Sequence, residues 1–393
     1  MKNVLRVIFV IIGTLIGAGF ASGKEIYIFF NRYGICGIIG ILISGLLLGV
    51  LVYKVFNILV KQKEIHEYNE LLNYIFYNGR NNKGNICKIG RINENKNNKI
   101  DMINKTQDND VYKFYKDKNN KICRFNKEKD NKINIVKIIN YTISIFLIIS
   151  FYIMVAGFSS YFKQEYNISI YITSTIFAVL CYITLSNNIE GIIKISSVLV
   201  PIIIIFILNL GSKNLSFSIN QIVNMNFLED RFIESVISSV LYASYNSIIL
   251  IPVLISLKKY INNKNKIWIG FLTTLIIIIL SMFVYIILLK ANVNIMELDL
   301  PLIYIVKQFG KIYEYTYGAV IIISIFTSAL SAGYSFLENC TKTKRGYNKL
   351  LILMCVTSIF IASIGFSELV NILYPIFGIL GIIQIYYILK IKI

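Results

Sequence analysis

The sequence predicts an all-α integral membrane protein of ten transmembrane helices. Three observations point to the membrane class. The 393 residues are 56% hydrophobic and 16% charged, with a mean hydropathy of +0.64, which is more apolar surface than a soluble fold can hide. The apolar residues fall in runs of about 20, the length that crosses a bilayer core. The Lys and Arg residues behind the net charge of +19 gather between those runs, as in cytoplasmic loops. That distribution argues against a nucleic-acid partner and for the lipid bilayer.

The first run, 4–30, is interrupted by Gly13, Gly17, Gly19 and Gly23. Glycine disfavours a helix interior, so four in one span predict a break at mid-depth. Freed backbone groups in lipid are tolerated only where they face protein or a wet cavity, and half-helix ends at the midplane are where many transporters hold solute and ion. The same residues form two small-xxx-small pairs, Gly13–Gly17 and Gly19–Gly23, which read equally as packing contacts. A secretory leader is set aside because many spans follow. The stretch from Gly19 to Lys24 is one residue short of a Walker A loop and lacks its Ser/Thr. That from Gly17 to Gly23 is one residue too long for a dinucleotide fingerprint, with no strand before it.

Further runs cover 37–60, 135–158, 168–185, 192–209, 234–257, 267–289, 313–337, 349–365 and 370–389. Lys2 and Arg6, the lysines at 258, 259, 264 and 266, the basic residues at 342, 344, 345 and 349, and Lys390 and Lys392 then share one face. This predicts a multi-pass protein of the cell membrane with both termini cytoplasmic. The chain divides into helices one and two (1–62), a cytoplasmic loop (63–134), helices three to five (135–209) and helices six to ten (210–393). Within the loop, Ile65, Tyr68, Leu71, Leu72, Ile75 and Phe76 recur at helical spacing and suggest an interfacial amphipathic helix. The Asn- and Lys-rich stretch 79–134 reads as a disordered insertion. Residues 290–312 suggest a short helix capping the outer mouth. Six cysteines without CxxC spacing assign no disulfide and no metal, and His66 reads as solvated.

Two further spans carry polar residues at mid-length. The sixth contains Ser238, Ser239, Tyr242, Ser244, Tyr245, Asn246 and Ser247 before Pro252. Its hydroxyls read either as bonds back to the helix's own carbonyls or as a second unwound segment, matching the break in the first span. The eighth presents Ser324, Thr327, Ser328 and Ser331 on one face; alone, that face reads as packing with Ala329, Ala332 and Gly333. Lys24, Glu25, Lys54, Lys194, Glu234 and Glu338 fall near span ends, where they can snorkel. No triad or carboxylate pair lies within the spans, so the sequence predicts no enzyme.

Gly13-Thr14 through Gly23-Lys24-Glu25-Ile26, with Phe29-Phe30 and Tyr33-Gly34, resembles the opening of the YkvI-type bacterial membrane proteins. Met154 to Gly157, Asn187 to Gly191, Tyr242 to Asn246, Gly365-Phe366-Ser367 and Tyr374 to Gly378 resemble the same family. The resemblance implies the amino acid–polyamine–organocation superfamily, its LeuT-type fold, a five-plus-five inverted repeat with broken first and sixth helices, and Na⁺- or H⁺-coupled transport. Carried over by motif, Gly17-Ala18-Gly19 resembles the unwound turn that meets a substrate carboxylate, and with Ser22 and the sixth span's Tyr242, Ser244, Tyr245 and Asn246 it makes the expected solute site. The implied sodium site takes carbonyls of Gly13, Ile16 and Ser324 and hydroxyls of Thr327 and Ser328. The insertion departs from the family, whose connection there is short. The expected function is cation-coupled transport of a small amino-acid-like solute by alternating access, with no cofactor beyond a coupling Na⁺. The alternative is a non-transporting sensor on the same fold, of the germinant-receptor type.

Overall fold

The computed structural model describes residues 2–78, 103–107, 110–116, 122–125, 127–223, 229–289, 300–341 and 343–391. The first span is divided into α1 (Lys2–Leu15), α2 (Ala18–Ser22) and α3 (Lys24–Phe29). Then follow α4 (Ile35–Lys61), α5 (Tyr68–Asn78), α6 (Lys127–Tyr166), α7 (Ile170–Leu185), α8 (Asn188–Val223) and α9 (Glu229–Ser256). The chain continues through α10 (Lys266–Leu288), the short α11 (Pro301–Lys307), α12 (Lys311–Cys340), α13 (Lys344–Ile361) and α14 (Phe366–Lys390).

Among the described residues, 8 helices are long and apolar enough to cross a membrane. The two other expected spans differ in length. The first is cut into pieces by its glycines, and α7 has 16 residues, about 24 Å at 1.5 Å per residue. Large apolar side chains such as Ile172, Ile176 and Val179 on α7 and Leu353, Val356 and Phe360 on α13 face outward, as a lipid-bathed surface requires.

The helices pair in a definite order. α1 packs on α8 and α12, α4 on α9 and α10, and α6 on α12 and α14. α7 packs on α13, α8 on α10 and α12, and α9 on α14. Glycines set the closest approaches. A methyl group built on Gly381 of α14 would lie 2.2 Å from the Ser244 carbonyl oxygen of α9, and one on Gly49 of α4 would collide with Thr274 of α10.

The sixth span, expected to be broken, is one continuous helix, α9. Most of its polar side chains have partners that leave the ladder intact, while the buried Ser244 Oγ has no hydrogen-bond partner among the described residues. Asn246 donates to the Tyr242 carbonyl, Ser247 to that of Ser244 and Ser239 to that of Val236. Ser235 and Ser238 donate outward, to the carbonyls of Cys36 (2.7 Å) and Phe29 (2.9 Å). The span contains no glycine, and Pro252 lies in its last turns.

The amphipathic segment also differs from expectation. α5 turns Tyr68, Leu71, Leu72 and Ile75 into the protein rather than the bilayer. It packs on α6, α9 and α14, and Gln384 of α14 donates to the Tyr68 hydroxyl at 2.6 Å. Glu70 caps its start by accepting from the backbone N–H groups of His66 and Glu67. Lys258 donates to the carbonyls of Gln62, Lys63 and Ile65 at 3.1, 2.8 and 2.7 Å, fixing the turn ahead of α5.

Within the insertion, expected to lack order from 79 to 134, β1 (Ile103–Gln107), β2 (Asp110–Lys116) and β3 (Ile122–Phe125) form an antiparallel meander, and α6 begins at Lys127. Residues 79–102 lie outside the described residues. The expected capping helix is α11, which packs on α2, α10 and α12; residues 290–299 before it lie outside the described residues.

Candidate functional site

The site grows from the break after α1. A continuous helix would bond Gly17 N to Gly13 O, Ala18 N to Thr14 O and Phe20 N to Ile16 O. Here Ile16 N still bonds Ile12 O at 2.8 Å, but Gly17 is extended at ψ −169°. The Ala18 N–H turns to the Met154 thioether at 3.4 Å. A second turn forms at once, with Ala21 N on Gly17 O at 2.9 Å. It closes at Gly23, whose φ of +83° is the left-handed region that glycine adopts without strain. Ser22 donates to the Gly19 carbonyl and accepts from Lys24 N. Tyr317 of α12 donates to the Ala21 carbonyl, and Ser238 of α9 takes the Phe29 carbonyl at the end of α3.

The carbonyls released by the break converge on α12. Ser328 Oγ lies 2.9 Å from Gly13 O, 3.0 Å from Ile16 O and 3.5 Å from Thr14 O. One hydroxyl has one proton, so it satisfies one of these acceptors at a time and leaves an electron-rich cluster. Thr327 lies beside Gly13, its Cβ 3.5 Å from a methyl built there, and its hydroxyl donates to the Ser324 carbonyl at 3.1 Å. The Ser324 hydroxyl bonds back to Val320 O, and its carbonyl accepts the Thr327 hydroxyl. Ser331 is joined to Thr14 by a hydroxyl–hydroxyl bond of 2.9 Å. Ser196 of α8, which the sequence reading passed over, has its Oγ 3.5 Å from the same Gly13 position and is buried with no hydrogen-bond partner among the described residues. Neutral hydroxyls, surplus carbonyls and an orphaned buried oxygen fit a hard monovalent cation. No charged side chain joins this set.

The residues implied for solute divide. Gly17 faces α6 and α12: a methyl there would lie 2.9 Å from Met154 Cε and 3.3 Å from Ser328 Oγ. Gly19 faces Glu25, with a methyl only 2.2 Å from Oε1. Tyr245 donates to Glu25 Oε2 at 2.5 Å, and Tyr242 crosses the Phe29 and Phe30 rings edge-on at 5.5 and 4.9 Å. Tyr242 and Tyr245 therefore meet the broken span. Ser244 instead lies against Gly381 of α14, and Asn246 bonds its own helix.

Two charged residues expected to snorkel are instead inside. Lys24 is 0% exposed and Glu25 2%, whereas Lys194, Glu234 and Glu338 are exposed. Glu25 follows the break by one short turn, and α2 carries it inward against Gly19. Tyr374 of α14 stacks on the Tyr245 ring beside that carboxyl, with centroids 4.7 Å apart. The available signal was its distance from Gly19, six residues, with a glycine between that allows the chain to fold back.

These features define a polytopic helical membrane protein built around an interrupted first helix. The chain is 24% identical over 380 residues, covering 94% of this chain and 90% of the other, to the uncharacterized membrane protein YkvI of Bacillus subtilis (strain 168). That similarity supports a YkvI-type membrane protein. No family model matches the chain.

Proposed function

We propose that the chain is a secondary active transporter that moves a small amino-acid-like solute by alternating access, coupled to a monovalent cation. The observation that carries this reading is the convergence of the Gly13 and Ile16 carbonyls on the Ser328 hydroxyl. An ion there ties the interrupted span to α12 and so favours one arrangement of the bundle over another.

The order of helix packing supports an inverted repeat of five plus five spans. Exchanging each span for the one five further along turns the α1–α8 contact into α9–α14 and α4–α9 into α10–α1. It turns α8–α10 into α14–α4 and α8–α12 into α14–α6. The pairs α4–α10, α6–α12 and α7–α13 map onto themselves, and all of these contacts are present. Counting the interrupted span and α7 as crossings gives ten, with both termini on the cytoplasmic face.

Na⁺, and not K⁺, is expected to raise the thermal midpoint of the purified protein and to tighten solute binding by about 1–3 kcal/mol of coupling. Thr327→Ala with Ser328→Ala is expected to erase that dependence while the protein stays monodisperse. Binding that follows pH and ignores Na⁺ in the unmodified protein would instead make the hydroxyl face a packing surface and the coupling ion a proton. Sodium-driven uptake into proteoliposomes separates a transporter from a sensor that binds without moving its ligand.

A further inference from the structure

The cation cluster on α12 makes no use of Glu25. A carboxyl at membrane depth is costly, and such groups mark ligand or ion pathways. Among the described residues, the carboxyl accepts from the Tyr245 hydroxyl and has no ion pair. Aromatic rings build walls. Tyr245 stacks on Tyr374 at 4.7 Å, Tyr242 meets Tyr245 edge-on at 5.5 Å, and Phe29 lies over Tyr245 at 5.5 Å. Glu25 and Phe29 are four residues apart on α3 and so share a face, with Phe29 one turn nearer the helix end.

That end opens into a cleft of about 400 Å³ lined by Phe29, Ser238, Leu241, Asn371 and Pro375. The cleft lies where α3 ends and α4, α9 and α14 begin, opposite the chain ends. Its mouth carries Arg32, Arg231 and Glu234. Both signs of charge at one mouth suit a molecule bearing both signs. Beyond Phe29 stand the Glu25 carboxyl and the π faces of Tyr242, Tyr245 and Tyr374, and together these select a cation with hydrogen-bond donors.

We propose that Glu25, walled by Tyr242, Tyr245 and Tyr374 and closed by Phe29, is the subsite for the alkylammonium group of a zwitterionic cargo entering through this cleft. The zwitterionic cargo rests on the transport reading above; the ammonium subsite does not. The cage is shut as it stands, so entry requires the Phe29 ring to turn toward the cleft. Gly19 leaves the carboxyl room against the break, where any side chain would displace it.

The test is a thermal-shift titration of the full-length protein in detergent with n-propylammonium, propionate and tetramethylammonium as chloride or sodium salts at constant ionic strength and sodium concentration. Propylammonium is expected to give a saturable rise, propionate none, and tetramethylammonium less because it cannot donate to the carboxylate. Phe29→Ala is expected to strengthen the propylammonium response and Glu25→Gln to abolish it, with the size-exclusion profile unchanged. Should Glu25→Gln fail to fold, Glu25→Asp is expected to weaken the apparent affinity about tenfold. No response in either the unmodified protein or Phe29→Ala, an equal response in Glu25→Gln, or unchanged affinity in Glu25→Asp would each overturn the proposal. Failure of both the sodium response and any pH response, with a Glu25-dependent ammonium response retained, would leave the subsite standing and remove the coupled transporter.

Discussion

The first and sixth spans both crowd small or hydroxyl residues at mid-length, yet one breaks and the other does not. In the first, Gly23 supplies the left-handed turn, Gly17 leaves room for Met154 and Ser328 against the extended backbone, and α12 supplies Ser328 for the released carbonyls. In α9 there is no glycine, and serine and asparagine side chains bond carbonyls within the helix without displacing its ladder. Ser235 and Ser238 reach across to the Cys36 and Phe29 carbonyls, so the continuous helix caps the interrupted one. Glycine acts on the sixth span from outside: Gly378 and Gly381 of α14 let that helix lie on the α9 backbone. Polar residues alone do not unwind a buried helix; it unwinds where the backbone is free to turn and the freed groups have somewhere to go.

Substitutions can break this contrast. The largest effect is expected at Gly381→Val, because its Cβ would fall 2.2 Å from a backbone oxygen that cannot swing aside. We expect a cost of about 3 kcal/mol and loss of the monodisperse peak on size exclusion. Gly19→Leu meets a side chain instead, Glu25, which can move. That variant is expected to insert and fold but to lose ligand-induced stabilisation; an unchanged response would detach Gly19 from the solute site. Ala243→Gly sharpens the comparison by putting glycine into α9. It is expected to cost about 1 kcal/mol without breaking the helix, which a lower thermal midpoint with unchanged circular dichroism would report. The smallest effect is expected at Ser247→Ala, within about 0.5 kcal/mol, since only a bond to its own helix is lost.

The sequence discloses the break because glycine is conspicuous in an apolar run. It discloses the α12 face because Ser324, Thr327, Ser328 and Ser331 recur at helical spacing. Their meeting with Gly13 and Ile16 was legible only through the family resemblance, since nothing local ties residue 13 to residue 328. Glu25 was misread for a physical reason: depth along a span is counted as if the helix were straight, and a turn at residues 16–23 changes that count. The α9 hydroxyls were ambiguous because their partners, the Phe29 and Cys36 carbonyls, lie some 200 residues away in the chain. The docking of α5 was hidden likewise, because an amphipathic stripe looks the same whether lipid or protein covers it.

Lys258, by holding three carbonyls ahead of α5, and Gln384, by holding Tyr68, anchor the stem from which the insertion departs. Length added beyond such a stem costs chiefly loop-closure entropy, about 0.6 kcal/mol per doubling. An evolving gene can therefore lengthen, trim or exchange that segment while the helices keep their registry. The same anchorage makes it the natural graft point for a fluorescent protein or an epitope, carried by the molecule without asking its core to rearrange.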